Sequence, residues 1–213
     1  MLKAQPAEPS FFIHILQTLE AIEAPHMIVG AFAATLYGVT RVTYDIDIVV
    51  DLSEEHIEAL EAAYPLPRYY ADPVQMRDSI RMGILFNLID TERGEKADLI
   101  PLKAGTRDIE AFQRRVRQRV DLPDAEPFEV WCARADDVVV GKLRAWAEAG
   151  SRRHETDIHD MMVWHYLGVD PEQSASFDEG YVDAEAAGLG TEAVALWEAI
   201  KKSARQEASR TER

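Results

Sequence analysis

Apolar positions at helical spacing open the chain. After Pro9 and Ser10, Phe12, Ile15, Leu16, Leu19 and Ile22 recur every three or four residues until Pro25, which predicts an amphipathic helix. A short apolar run over residues 26–29 then meets Gly30 and reads as a buried strand. Residues 31–37 are dominated by alanine and predict a short helix whose N-terminus sits at Gly30 and whose stop is Gly38. Over residues 43–50 the period drops to two. Tyr44, Ile46, Ile48 and Val50 fall on one face, and Thr43, Asp45, Asp47 and Val49 on the other. That is a strand with a core side and a chemically unusual side.

Ser53, with Glu55 and His56, opens a further helix to about residue 64, where Pro65 and Pro67 end it; a second helical stretch covers residues 74–81. Residues 84–90 and 96–102 read as two strands joined by a turn, Thr91-Glu92-Arg93-Gly94. A helix over 106–114, an arginine-rich extended stretch, a loop and a strand over 128–132 follow. From Asp136 the pattern is helical. Val139, Leu143, Trp146 and Ala147 mark one face before Gly150. Helices are expected over 155–167, with Ile158, Met161, Met162 and His165 inward, over 178–187, and over 191–206 with Val194, Trp197 and Ile200. The polar tail beyond Ala208 is expected to fray. The order predicts an α/β (α+β) core over residues 1–133 and a C-terminal helical region over 134–213 packed on it.

Charge narrows the function classes. Acidic residues outnumber basic ones 38 to 23, a formal charge of −15. A net anion is not drawn to nucleic acid or to an anionic membrane in general, although a local basic patch can still seat RNA. Cys132 is the single cysteine, so no intrachain disulfide forms; a buried structural thiol and a cytoplasmic location are expected. The first ten residues lack the apolar core of a signal peptide, and no apolar run is long enough to span a bilayer, so no membrane partner is expected.

Asp45-x-Asp47 is the sharpest local feature. Two positions apart on a strand, both carboxylates point the same way, about 6.6 Å apart along the backbone. Held so close, they raise each other's pKa unless a cation sits between them, and Mg²⁺ takes such oxygen ligands. Taken alone, the pair reads more simply as the solvated face of an edge strand. Its context favours chemistry: upstream stands strand–Gly30–helix, whose backbone N–H groups and helix dipole attract phosphate. Thirteen residues separate Ala31 from Asp45, enough for a short helix and a return into an adjacent strand. A metal site beside a phosphate cradle suits a nucleoside triphosphate.

Ile28-Val29-Gly30-Ala31, followed by Gly38-Val39-Thr40-Arg41-Val42-Thr43-Tyr44-Asp45-Ile46-Asp47-Ile48, resembles the signature of the nucleotidyltransferase superfamily, the polymerase-β-like fold. The resemblance implies a small mixed sheet flanked by helices, a nucleoside triphosphate bound around Gly30, Ala31, Arg41 and Thr43, and two Mg²⁺ ions. It also implies a third acid on a later strand, for which Asp98 in Lys96-Ala97-Asp98-Leu99-Ile100 is the matching position. Phe112 with Arg114-Arg115, residues 135–143, and Ser151-Arg152-Arg153-His154 with Asp157-Ile158 resemble the abortive-infection branch, which includes toxins of toxin–antitoxin pairs. The likeness runs from about residue 26 to 165, with the Trp197 helix a fainter echo. That branch completes its site with a lysine and an aspartate, which map to Lys142 and Asp157. The family pattern has serine or glycine where this chain has Ala31, so no hydroxyl is offered to the phosphates there.

Lys142 lies one turn from both Val138 and Trp146, so it faces the packed side of its helix and needs an anion, either the triphosphate or an internal carboxylate. Two expectations from different classes follow. One is an enzyme in which Asp45, Asp47 and Asp98 hold metal, Lys142 steadies phosphate, and an NMP moves to a tRNA end or a protein hydroxyl. The other is a binding module of the same fold with weak or no catalysis, acting as a toxin or antitoxin partner. A third reading, a metal-dependent phosphohydrolase, would use His154, Asp157, His159 and Asp160, though a polar helix face is the better reading of them. Arg114, Arg115, Arg117 and Arg119 read as a solvated face before they read as an RNA seat.

Overall fold

The computed structural model describes residues 10–43, 45–103, 107–120 and 126–211. Tyr44, assigned above to the core face of a strand, and Thr106, the expected start of a helix, lie outside the described residues. In chain order the elements begin with α1 (Phe11–Ala21), β1 (His26–Val29), α2 (Gly30–Thr35), β2 (Asp45–Val50), α3 (Glu54–Ala63), β3 (Tyr69–Tyr70) and α4 (Pro73–Met82). Next come β4 (Phe86–Asp90), β5 (Glu95–Pro101), α5 (Arg107–Gln113), β6 (Val116–Val120) and β7 (Phe128–Cys132). Five helices close the chain: α6 (Ala135–Ala149), α7 (Arg152–Tyr166), α8 (Pro171–Ser176), α9 (Glu179–Leu189) and α10 (Thr191–Thr211). They divide into two compact units, Met1–Ile28 with Thr43–Cys132, and Val29–Val42 with Ala133–Arg213. The second unit therefore takes in α2 as well as the C-terminal helices.

In the first unit a seven-stranded sheet runs in the order β3-β4-β5-β2-β1-β7-β6. It is mixed: β2 pairs with β5 and β1 with β7 in parallel, while β3–β4, β4–β5 and β6–β7 are antiparallel. This is the α/β class expected from the residue pattern. Alternation decides which face of β2 enters the core, with Ile46 and Ile48 buried and Asp45 and Asp47 left half-buried on the opposite side. The β4–β5 hairpin is set by its turn. Asp90 accepts from the backbone N–H groups of Glu92 and Arg93 at 3.0 and 3.1 Å, and Gly94 adopts a φ of +68°, which a side chain would resist. Ser10 caps α1, Ser53 and His56 form a reciprocal capping box on α3, and Asp72 caps α4 ahead of Pro73.

The second unit is helical. Gly38 is obligatory there: its φ is +99°, and an added Cβ would lie 2.5 Å from the Trp164 side chain. The tail expected to fray is instead helical to Thr211. Ala193, Trp197, Ile200, Ala204 and Ala208 form one buried stripe along α10, so alanines at helical spacing carry the apolar face past the polar composition of the tail. Two short elements were not anticipated, β3 and α8. Among the described residues no helix is long and apolar enough to cross a membrane.

Candidate functional site

Strand register builds the carboxylate face. In the parallel β2–β5 pair Asp45 stands opposite Lys96 and Asp47 opposite Asp98; in the antiparallel β4–β5 pair Asn87 stands opposite Asp98. Register partners project from the same face of a sheet, with neighbouring strands about 4.8 Å apart. Asp47, Asp98 and Asn87 therefore form one row across three strands, and Asp45 with Lys96 forms part of the adjacent row. The register places the three acids singled out in the sequence on one face of β2 and β5. Asp98 is 9% exposed, so it is not the exposed acid that a hairpin strand would otherwise present.

Each member has company. Lys96 Nζ donates to both oxygens of Asp98, at 2.9 and 2.7 Å, and the Asn87 amide donates to Asp98 Oδ1. The bond to Asp98 raises the Lys96 pKa; partial burial opposes this, and the charges of Asp98, Asp45 and Asp47 add to it. The Thr43 hydroxyl lies 3.0 Å from both Oδ1 and the carbonyl oxygen of Asp45. Lys96 and Asn87 were not singled out by sequence reasoning. The available signal was Lys-x-Asp, which on a strand puts Lys96 on the face of Asp98.

The donor set suits a hard divalent cation in kind, being all carboxylate oxygen, and one cation, the Lys96 ammonium, already rests on it. Among the described residues, however, no three His, Cys, Asp or Glu side chains are gathered closely enough to hold a metal as they stand. The Asp98 carboxylate is instead bonded by Lys96 and Asn87.

In the second unit Asp157 is enclosed by two cations. Arg41 binds it in bidentate fashion, Nε to Oδ1 and Nη2 to Oδ2 at 2.7 Å each, and Lys142 Nζ reaches Oδ2 at 2.6 Å. Burial alone would raise the Asp157 pKa, but the hydrogen bonds and charges of Arg41 and Lys142 outweigh it and leave it lowered. Lys142 therefore meets an internal carboxylate on the packed side of its helix. Gly30 heads α2 with a φ of +67°, a conformation glycine adopts without strain, and Ala31 follows it.

The weaker candidates take structural roles. Arg115 lies over the rings of Phe112 and Trp131 at 4.2 and 4.8 Å, and Arg117 binds Glu20 and the Glu129 carbonyl. His159 stands 3.8 Å from Asp160 and 3.7 Å from Glu207, while Asp157 is committed to Arg41 and Lys142. Cys132 is fully buried.

No protein-family model matches this chain. No curated protein matches it either. Solved structures do resemble it. JHP933 from Helicobacter pylori is 13% identical, with 94% of this chain and 91% of that one covered and a TM-score of 0.43. The antibiotic-resistance factor ANT(2'')-Ia is 16% identical, covering 94% and 92% at a TM-score of 0.39. An antigenic nucleotidyltransferase-like protein from Paracoccidioides brasiliensis is 18% identical, covering 72% of each chain at 0.45. Likenesses this loose lend no residue a role, and roles here rest on the strand register.

Proposed function

We propose that this protein is a metal-dependent nucleotidyltransferase that moves an NMP from an NTP to a hydroxyl, either a tRNA end or a protein side chain, as one component of a toxin–antitoxin or phage-defence system. The observation that carries the reading is the in-register row of Asp47 and Asp98 beside Asp45, on one face of β2 and β5. Asp45, Asp47 and Asp98 would hold Mg²⁺, as two ions in the full reading. Bound there, the ions would neutralise triphosphate charge and lower the pKa of the acceptor hydroxyl. The acceptor oxygen attacks the α-phosphorus, the bond to the β-phosphate breaks, and pyrophosphate leaves. Asp98 takes the hydroxyl proton, which requires Lys96 to release it first, because the ammonium occupies both of its oxygens. Backbone N–H groups at Gly30 and Ala31, with Arg41, Thr43 and Lys142, would be the phosphate-side residues of the proposal, and Asp157 would position Arg41 and Lys142.

A second reading, a module of the same fold with little catalysis, draws support from the ion pair on Asp98 and from Ala31. Calorimetry with Mg²⁺ and each NTP separates the two, repeated on the Asp45→Ala/Asp47→Ala protein. The enzyme reading expects binding in the parent that the double substitution abolishes, and labelled nucleotide transferred to cellular RNA or protein. Binding with no transfer favours the module; no binding, or binding indifferent to the substitutions, overturns the enzyme reading.

A further inference from the structure

We infer that Lys96 is a tethered counter-ion of the carboxylate face, which holds Asp98 while no metal is bound and must leave it before a divalent cation can bind there. The inference rests on the metal-site reading above and adds how access to that site is controlled.

Three observations converge on it. The ammonium contacts both Asp98 oxygens, so it sits on the atoms a metal would need. A dication and an ammonium on one carboxylate repel strongly, and partial burial weakens the screening that would make this tolerable. Second, the contact is easily released. The Lys96 side chain is 44% exposed and its four-carbon stem is flexible, so the ammonium can swing out into water. Third, Lys96 and Asn87 both bond the Asp98 carboxylate, and among the described residues no three His, Cys, Asp or Glu side chains are gathered for a metal as they stand. Without a cation, three carboxylates on adjacent register positions would repel one another. Lys96 supplies the missing charge from within the chain, two positions from Asp98 on the same strand face.

The purely structural alternative is that the pair pins the β4–β5 hairpin. The two differ in what happens to metal affinity when the charge is removed. The test is calorimetric titration of Mg²⁺, without nucleotide, into the full-length parent, Lys96→Met and Lys96→Arg proteins at one pH and ionic strength. Lys96→Met is expected to bind Mg²⁺ about tenfold more tightly than the parent, the scale set by relief of one competing unit charge. Lys96→Arg keeps the charge and stays near the parent value. A parent that shows no binding while Lys96→Met binds supports the inference most strongly. A parent that binds, with Lys96→Met equal or weaker, overturns it and leaves the metal site standing. No binding by parent or variant overturns both. A measurement on the unaltered protein guards against a variant that fails to fold. Acylation of Lys96 by a water-soluble amine reagent, read by peptide mass, should speed up when Mg²⁺ is added; an unchanged or slower rate counts against release.

Discussion

Asp157→Ala is expected to be among the most destabilising single substitutions in the helical unit. The carboxylate is 1% exposed and Lys142 is 5% exposed, so the substitution strips a buried ammonium of the carboxylate that neutralises it. Removing one partner of a buried ion pair costs about 3–5 kcal/mol, a large share of a typical domain stability of about 5–15 kcal/mol. The converse change should be milder. In Lys142→Met the aspartate keeps both bonds from Arg41, so the loss is close to that of one charged hydrogen bond, about 1.5–3 kcal/mol. Combining the two removes the stranded charge, and the double variant should be more stable than Asp157→Ala alone. Urea unfolding of the four proteins, with a common slope, gives these differences directly. Acid adds a check on sign. The folded pKa of Asp157 is lowered, so its contribution is full above the unfolded value near 3.9 and is lost as pH falls through the folded value. The acid limb of Asp157→Ala should therefore be flatter than the parent's. A cost below about 1 kcal/mol, or Lys142→Met costing as much as Asp157→Ala, would refute the assignment of this pair as a buried structural charge.

Gly38→Ala should lower stability by about 2–4 kcal/mol, since a left-handed backbone is combined with a 2.5 Å approach to Trp164; a thermal midpoint within a degree or two of the parent would contradict this. Asp90→Ala should cost about 1–3 kcal/mol, because a fully buried carboxylate that caps two turn amides and pairs with Arg68 is lost; urea midpoints check it, and an unchanged midpoint refutes it. The His26 ring should titrate below 6.5 in the folded protein, burial being the main cause, so its contribution to stability is complete above pH 6.5 and declines as pH falls through the folded value. An NMR titration that places it at or above 6.5 would be the contrary result.

What the residues made legible follows from the range of the interactions involved. The β2 alternation needed only neighbours two apart, so the acid face and the buried Ile46 and Ile48 could be read directly. The hairpin over β4 and β5 was equally local. Asp98 could not be placed from its own surroundings. Its meeting with Asp47 depends on a parallel pairing across some fifty residues, and the resemblance supplied it, not the pattern. Arg41 and Asp157 are 116 positions apart, and no period connects them. β3 has two residues and α8 has six, too short for periodicity to register, although Asp170-Pro171 carried a cap signal for α8. The end of α10 was misread because polar composition was weighed above the four-residue spacing of Ala204 and Ala208.

Two of the lysine–aspartate pairs among the described residues, Lys142–Asp157 and Lys96–Asp98, show how environment assigns different roles to the same chemistry. Lys142–Asp157 is almost wholly removed from water, so the carboxylate cannot be lost without taking a neutralising charge from the buried ammonium, and the pair is expected to behave as part of the core. Lys96–Asp98 joins a half-exposed ammonium to a carboxylate side chain that is 13% exposed; here the cation can return to solvent at little cost while the anion cannot. Only the second arrangement can exchange one cation for another. Stability and metal affinity should accordingly respond in opposite ways at the two sites. Neutralising Lys96 should change magnesium binding more than unfolding, whereas neutralising Asp157 should change unfolding first. The sequence pattern Lys-x-Asp gives no hint of that division, which arises from how deeply each carboxylate is set and how freely its lysine can turn away.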